Sequence, residues 1–271
     1  MARFFPTLRD AAARFSSDGC GFLAQAIAFN AFFALFPLAV LLLAGASAIF
    51  PHADRRTLEF FDTFSPTLHS FVAANLRSYI YGRGISSLVA LVVVVWSGKN
   101  LFLGLAFALD RAVGVPKGRP FMHGILYSLV MLPLIGVLVI LAMSLPVVLA
   151  VVVALTGLPD AHYLAQFVAY SVSLSLVFFV CMTLYTVLPN ARLPWRFAVP
   201  GAILVTLIWP LLQFLFELYI GHVDFTHIYG ALSAPIVLLL WFYVIASLFL
   251  FGAELCVAWS ARSPWFAELA A

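Results

Sequence analysis

Charge is scarce in this sequence: only 9% of its 271 residues are Asp, Glu, Lys or Arg, while 65% are hydrophobic. Soluble domains are about half apolar and roughly a quarter charged. The 14 basic and 11 acidic side chains cannot cover the apolar surface of a soluble fold this long, so that class is excluded. The net charge of +3 comes without a cluster of Lys and Arg on one face, which excludes a nucleic-acid footprint. Cysteine is almost as rare. Cys20, Cys181 and Cys256 share no CxxC or Cys/His spacing and read as small buried hydrophobes. Also missing are GxSxG, HExxH, a Walker loop and GxGxxG, the signatures of common soluble enzymes. The opening "MARFFPTLRDAAARFSSDGCGF" lacks the apolar core of a cleavable signal peptide.

Long apolar runs fill the space those absences leave. A membrane-spanning helix needs about 20 mostly apolar residues. Six segments qualify, at about 23–50, 85–109, 122–155, 163–188, 197–220 and 233–258. Only helices and closed barrels satisfy their backbone groups in lipid, and runs without strict alternation exclude a barrel. The expected fold is an all-α integral membrane protein, a bundle of six transmembrane helices. Residues 1–22 form an amphipathic N-terminal segment, since Phe4, Phe5, Leu8, Ala12 and Phe15 suit a short helix at a membrane surface. Residues 23–260 form one transmembrane domain, and 261–271 form a tail. Nine Lys and Arg fall in the N-terminal segment, the second and fourth connections and the tail; four, at Arg55, Arg56, Arg77 and Arg83, fall in the first connection. The positive-inside rule then makes both termini cytoplasmic. The first connection, 51–84, is an amphipathic outer loop whose aromatics suit helices in the outer interface, broken at Pro66.

Small residues mark helix contacts. Gly104, Ala108 and Ala112 form one ladder, and Ala24 with Ala28 a shorter one, each letting neighbouring backbones approach closely. Pro37, Pro133, Pro146, Pro210 and Pro235 interrupt the spans. Helices of this kind often border cavities, although proline is common in membrane helices anyway.

An ionisable group inside a span is costly and marks a functional candidate. Lys99 in "VVVVWSGKNLFLG", Glu217 and Glu254 qualify. Lys99 precedes Arg111 by 12 residues and Glu254 precedes Arg262 by eight. At about 1.5 Å per residue they sit roughly 18 and 12 Å inside the same boundary, which makes them the best-placed counter-charges for each other. An ion pair, two groups each facing a hydrated cavity, and a snorkelling lysine all remain open. Gln25, Asn30 and Asn100 add polar lining to the same interior site. Gln213 precedes Glu217 by one turn on one face, which suits an outer polar groove or a carboxylate reaching water. "GHVDFTHIYG" groups His222, Asp224 and His227, but two imidazoles and a carboxylate in a short loop read better as a solvated loop than as a metal site. No metal, cofactor or catalytic residue is expected.

Three stretches together carry a resemblance: "AIAFNAFFALFPLAVLLLA" (26–44), "LFLGLAFALDRAVGV" followed by "GRPF" (101–121), and "LPNARLPWRFAVPGAIL" (188–204) leading into "IYGALSAPIVLLLWFYVIASLFLFGAEL" (228–255). In this order they resemble the YihY/virulence-factor BrkB family of bacterial inner-membrane proteins, formerly misnamed ribonuclease BN. The resemblance covers roughly residues 15–260. Glu254 falls in its "GAEL", Tyr229, Gly230, Trp241 and Tyr243 in the same block, and Pro189, Pro194 and Trp195 in the preceding connection. Lys99 departs from the pattern, where small or polar residues are more usual, and Asp110 stands where asparagine is common. The resemblance implies a six-span protein of the inner membrane, from a family linked to resistance to serum killing and to envelope lipid export. The expected function is therefore transporter-like handling of a lipid or amphiphile, with membrane lipids as partners and no nucleic acid. The alternative is a non-transporting scaffold of envelope biogenesis, as a homo-oligomer or with an envelope-protein partner.

Overall fold

A computed structural model describes residues 4–49, 85–114, 161–190, 193–223 and 230–261. All regular structure among them is helical. Helix α1 spans Phe4–Ser17, α2 Cys20–Ile49, α3 Ile85–Val113, α4 Ala161–Val187, α5 Trp195–His222 and α6 Ser233–Ser260, the last preceded by a short 3-10 turn at Gly230–Leu232. Their bounds follow the apolar runs of the sequence. The expected third span and the outer loop 51–84 lie outside the described residues. Three of the helices, at Tyr170–Val187, Trp195–His222 and Pro235–Ser260, are long and apolar enough to cross a membrane.

Helix α1 forms because Leu8, Ala11 and Phe15 recur at helical spacing and share one face. It stops where the chain turns into α2. The hydroxyl of Ser17 donates to the Arg14 carbonyl at 3.0 Å, and Gly19 adopts φ +69°, the left-handed geometry that glycine supplies at a helix end. Gly114 closes α3 in the same way at φ +76°, donating to the Arg111 carbonyl at 3.1 Å.

Helix α6 is the hub, packing against α1, α2, α3 and α5, while α2 lies along α3 and α4 along α5. Ala24 of α2 and Ala108 and Ala112 of α3, all from the two small-residue ladders, are buried in one cluster with Cys20, Ile27 and Phe102. The closest crossing is a different one. At Gly201 of α5 and Gly252 of α6 an added Cβ would collide: the first with the Gly252 carbonyl and Cys256 Sγ of α6, the second with Tyr185 Oη of α4 and Val205 of α5. Tyr185 fills the space alongside. Its hydroxyl donates to the Phe249 carbonyl at 2.7 Å, and its ring stacks on that of Phe249 at 4.8 Å between centroids.

Helix α1 is not an isolated surface helix. Ala11 packs with Leu204, Leu255 and Ala258, and Phe15 meets Phe251 with centroids 6.1 Å apart. As α1 positions fall from 15 to 11, their partners on α6 rise from 251 to 258. The helix therefore runs antiparallel along the last turns of α6.

Candidate functional site

Helices α1, α2, α3 and α6 converge on one carboxylate. Glu254 is fully buried, and both of its oxygens are engaged. Arg14 Nε donates to Oε2 at 3.2 Å, and the Cys20 thiol donates to Oε1 at 3.3 Å. Arg14 reaches further, its Nη2 donating to the Ala112 carbonyl at 3.1 Å in the last turn of α3, where backbone carbonyls lack helical partners. A second arginine makes the reciprocal contact: Arg111 Nε donates to the Asp18 carbonyl at 2.9 Å, beyond the end of α1. Each arginine thus caps the helix that carries the other. No buried polar side-chain atom among the described residues lacks a partner.

This arrangement gives Glu254 a different counter-charge from the one its depth suggested. Among the described residues its cation is Arg14. Lys99 is half-buried on α3, 13 residues before Ala112, hence about 20 Å away along the axis. Counting inward from Arg262 misplaced Glu254, because α6 does not end where α3 ends. It runs roughly 9 Å farther, to Ser260, and α1 covers that extension. Glu254 therefore sits level with the last turn of α3, bridged to it by Arg14.

The remaining polar residues of the interior proposal are spread out. Asn30 presents its side-chain nitrogen to Gly104, Asn100 is half-buried and Gln25 is exposed. None of them joins Glu254. Gln213 and Glu217 are both exposed on α5, one turn apart on the same face. Beside them Trp241 gathers aromatic neighbours, with Phe216 at 4.5 Å and Trp209 at 6.0 Å between centroids. His222 Nδ1 contacts the Leu218 carbonyl at 2.7 Å; Asp224, His227 and Tyr229 lie outside the described residues.

The other motif residues are structural neighbours of this framework. Gly230 opens the turn before α6 with φ +53°, Tyr243 packs against the main core, and Pro189 is buried. Trp195 is 63% exposed, with the Arg196 guanidinium 5.7 Å from its ring centroid. Asp110 accepts the Asn190 backbone N–H at 2.5 Å, tying the end of α3 to the turn after α4.

Sequence reasoning missed Arg14, counting it only among the basic residues that set orientation. The available signal was its register: Thr7, Ala11 and Arg14 fall on one helical face, and the small residue between the polar ones marks that face as packed. Cys20 and the Gly201–Gly252 crossing carried no comparable signal, because each depends on a partner distant in sequence.

The family model described as "Virulence factor BrkB" matches residues 11–268. Among curated proteins, a Bacillus subtilis (strain 168) protein with a ribonuclease-like name, YfkH, is 23% identical over 237 residues, covering 82% of this chain and 83% of its own length. The UPF0761 membrane protein Smlt0865 of Stenotrophomonas maltophilia (strain K279a) is 30% identical over 255 residues. The UPF0761 membrane protein XCC0860 of Xanthomonas campestris is 29% identical over 254. Each of these two alignments covers 92% of this chain but only 59% of the relative. No solved structure matches.

Proposed function

The chain belongs to the BrkB virulence-factor family, and from that premise we propose that it is a six-span protein of the bacterial inner membrane, with both termini cytoplasmic, that moves or handles a lipid or amphiphile. The observation that carries this reading is the pair Gln213 and Glu217, exposed on α5 among large exposed apolar side chains such as Leu211, Phe214 and Leu218. A carboxylate on a span is tolerated where water or a polar partner reaches it. An exposed helix face with polar groups along one line and apolar side chains beside it suits a molecule with a headgroup and acyl chains. The reading assigns no catalytic residue and no cofactor, and its partners are membrane lipids.

The test is reconstitution into vesicles carrying labelled phospholipids and amphiphiles. Transbilayer movement faster than in protein-free vesicles, reduced by Glu217→Leu, is the expected result. Unchanged lipid distribution and amphiphile flux would remove the proposal. A second reading, a scaffold of envelope biogenesis acting as a homo-oligomer or with an envelope partner, draws on the close-packed end around Glu254. It predicts no acceleration of lipid movement and a stable complex in mild detergent.

A further inference from the structure

The end of the bundle around Glu254 has every part of a hinged strap. The strap is α1. Of its described side chains only Thr7 and Ala11 are buried; with the partly buried Leu8 and Phe15 they form a single narrow stripe seated on Leu204, Phe251, Leu255 and Ala258. The hinge is the turn at Gly19, which has φ +69° and no atom within 4 Å of where a Cβ would stand. The catch is polar: Arg14 to Glu254, Arg14 to the Ala112 carbonyl and Arg111 to the Asp18 carbonyl. The side chain of Arg14 is 33% exposed while that of Glu254 is fully covered, so water already reaches one half of the pair.

We propose that α1 is a strap that swings about Gly19, and that its release uncovers Glu254 and Cys20 at the end of the α2–α3–α6 core. The chemistry of the catch permits both states. Losing one partner of a buried ion pair is costly because a bare charge stays inside. Here the swing carries Arg14 out and opens Glu254 to water in the same movement, so neither state strands a charge. The polar caps on the ends of α1 and α3 are likewise exchanged for water. A narrow apolar seat and solvent-replaceable bonds are the features of a segment that opens locally, below the free energy of global unfolding.

Cys20 is a built-in reporter, because its thiol is buried against Glu254 when the strap is docked. The experiment uses the full chain in proteoliposomes with Cys181→Ala and Cys256→Ala, and follows labelling by a water-soluble maleimide. Cys20 is expected to label far faster than the global unfolding rate read by tryptophan fluorescence. Arg14→Gln is expected to raise that rate about tenfold, the change produced by losing about 1.4 kcal/mol of docking energy. In parallel, amide hydrogen exchange on the unsubstituted protein is expected to show α1 exchanging as a group, ahead of residues 246–257. Labelling of Cys20 only at the unfolding rate, or α1 amides as slow as those of α6, would overturn the strap. Neither readout involves lipid movement, so this inference and the proposed function stand or fall separately.

Discussion

Along α5, the residues from Ala198 to Val205 and those from Leu211 to His222 have opposite surroundings. In the first stretch Ala198, Gly201, Ala202, Leu204 and Val205 are buried, and the backbone crosses α6 at Gly201 and Gly252 with no room for a Cβ. In the second no residue is buried, and Gln213 and Glu217 face outward. The composition of the two stretches explains the contrast. Lipid tails are as apolar as leucine, so helices in a membrane gain by close van der Waals contact, and small residues provide it. The far half has large side chains instead, which hold neighbours off. One helix therefore has a close-packed half without polar side chains and an open half in which Gln213 and Glu217 are exposed.

The sharpest way to break this contrast is to spoil the crossing. Gly201→Val drives its Cβ into the backbone carbonyl of Gly252 and the buried Cys256 Sγ, where backbone cannot yield. Overpacking typically costs 1–3 kcal/mol and occasionally more, and a site with no flexible neighbour belongs at the top of that range, about 3 kcal/mol. Thermal melting in detergent should show it as a large fall in Tm or as loss of folded protein. Next comes the catch. Arg14→Met leaves Glu254 buried with only a thiol, at an expected cost of about 2 kcal/mol, below the value for fully buried pairs because Arg14 is partly solvated. Adding Glu254→Leu should recover much of that loss, since a buried pair replaced by apolar groups is often neutral. Tyr185→Phe should cost about 1 kcal/mol for the hydrogen bond to Phe249.

How far these features were legible depends on their range in sequence. Helix existence and extent followed from local apolar runs, which is why α2 to α6 lie where the spans were expected. The ladders Gly104–Ala108–Ala112 and Ala24–Ala28 were also visible, because small residues four apart share a face. The partner of Glu254 was not. Ranking cations by depth assumed that every helix ends at one plane, and α6 extends past α3 under the cover of α1. The distance from Lys99 to the last turn of α3 makes the original pairing testable in its new form. Lys99→Met and Glu254→Gln should have additive effects on stability, as expected of sites without shared partners; an interaction energy above about 0.5 kcal/mol would put the two in contact after all.

The smallest expected effect on stability is the most informative about function. Gln213 and Glu217 are exposed, so Gln213→Leu and Glu217→Leu should each change stability by no more than about 0.5 kcal/mol. In lipid they should be neutral or mildly stabilising, since each removes a polar group from an apolar helix. Lipid or amphiphile movement in vesicles should nevertheless fall in both variants, while Arg14→Met, tested below its melting temperature, retains it in proportion to the folded fraction. That outcome would separate the two halves of α5 by role as well as by packing. If Glu217→Leu instead destabilised the fold as strongly as Arg14→Met, its carboxylate would be serving a structural contact, and the open half would be a second packed interface rather than an open face.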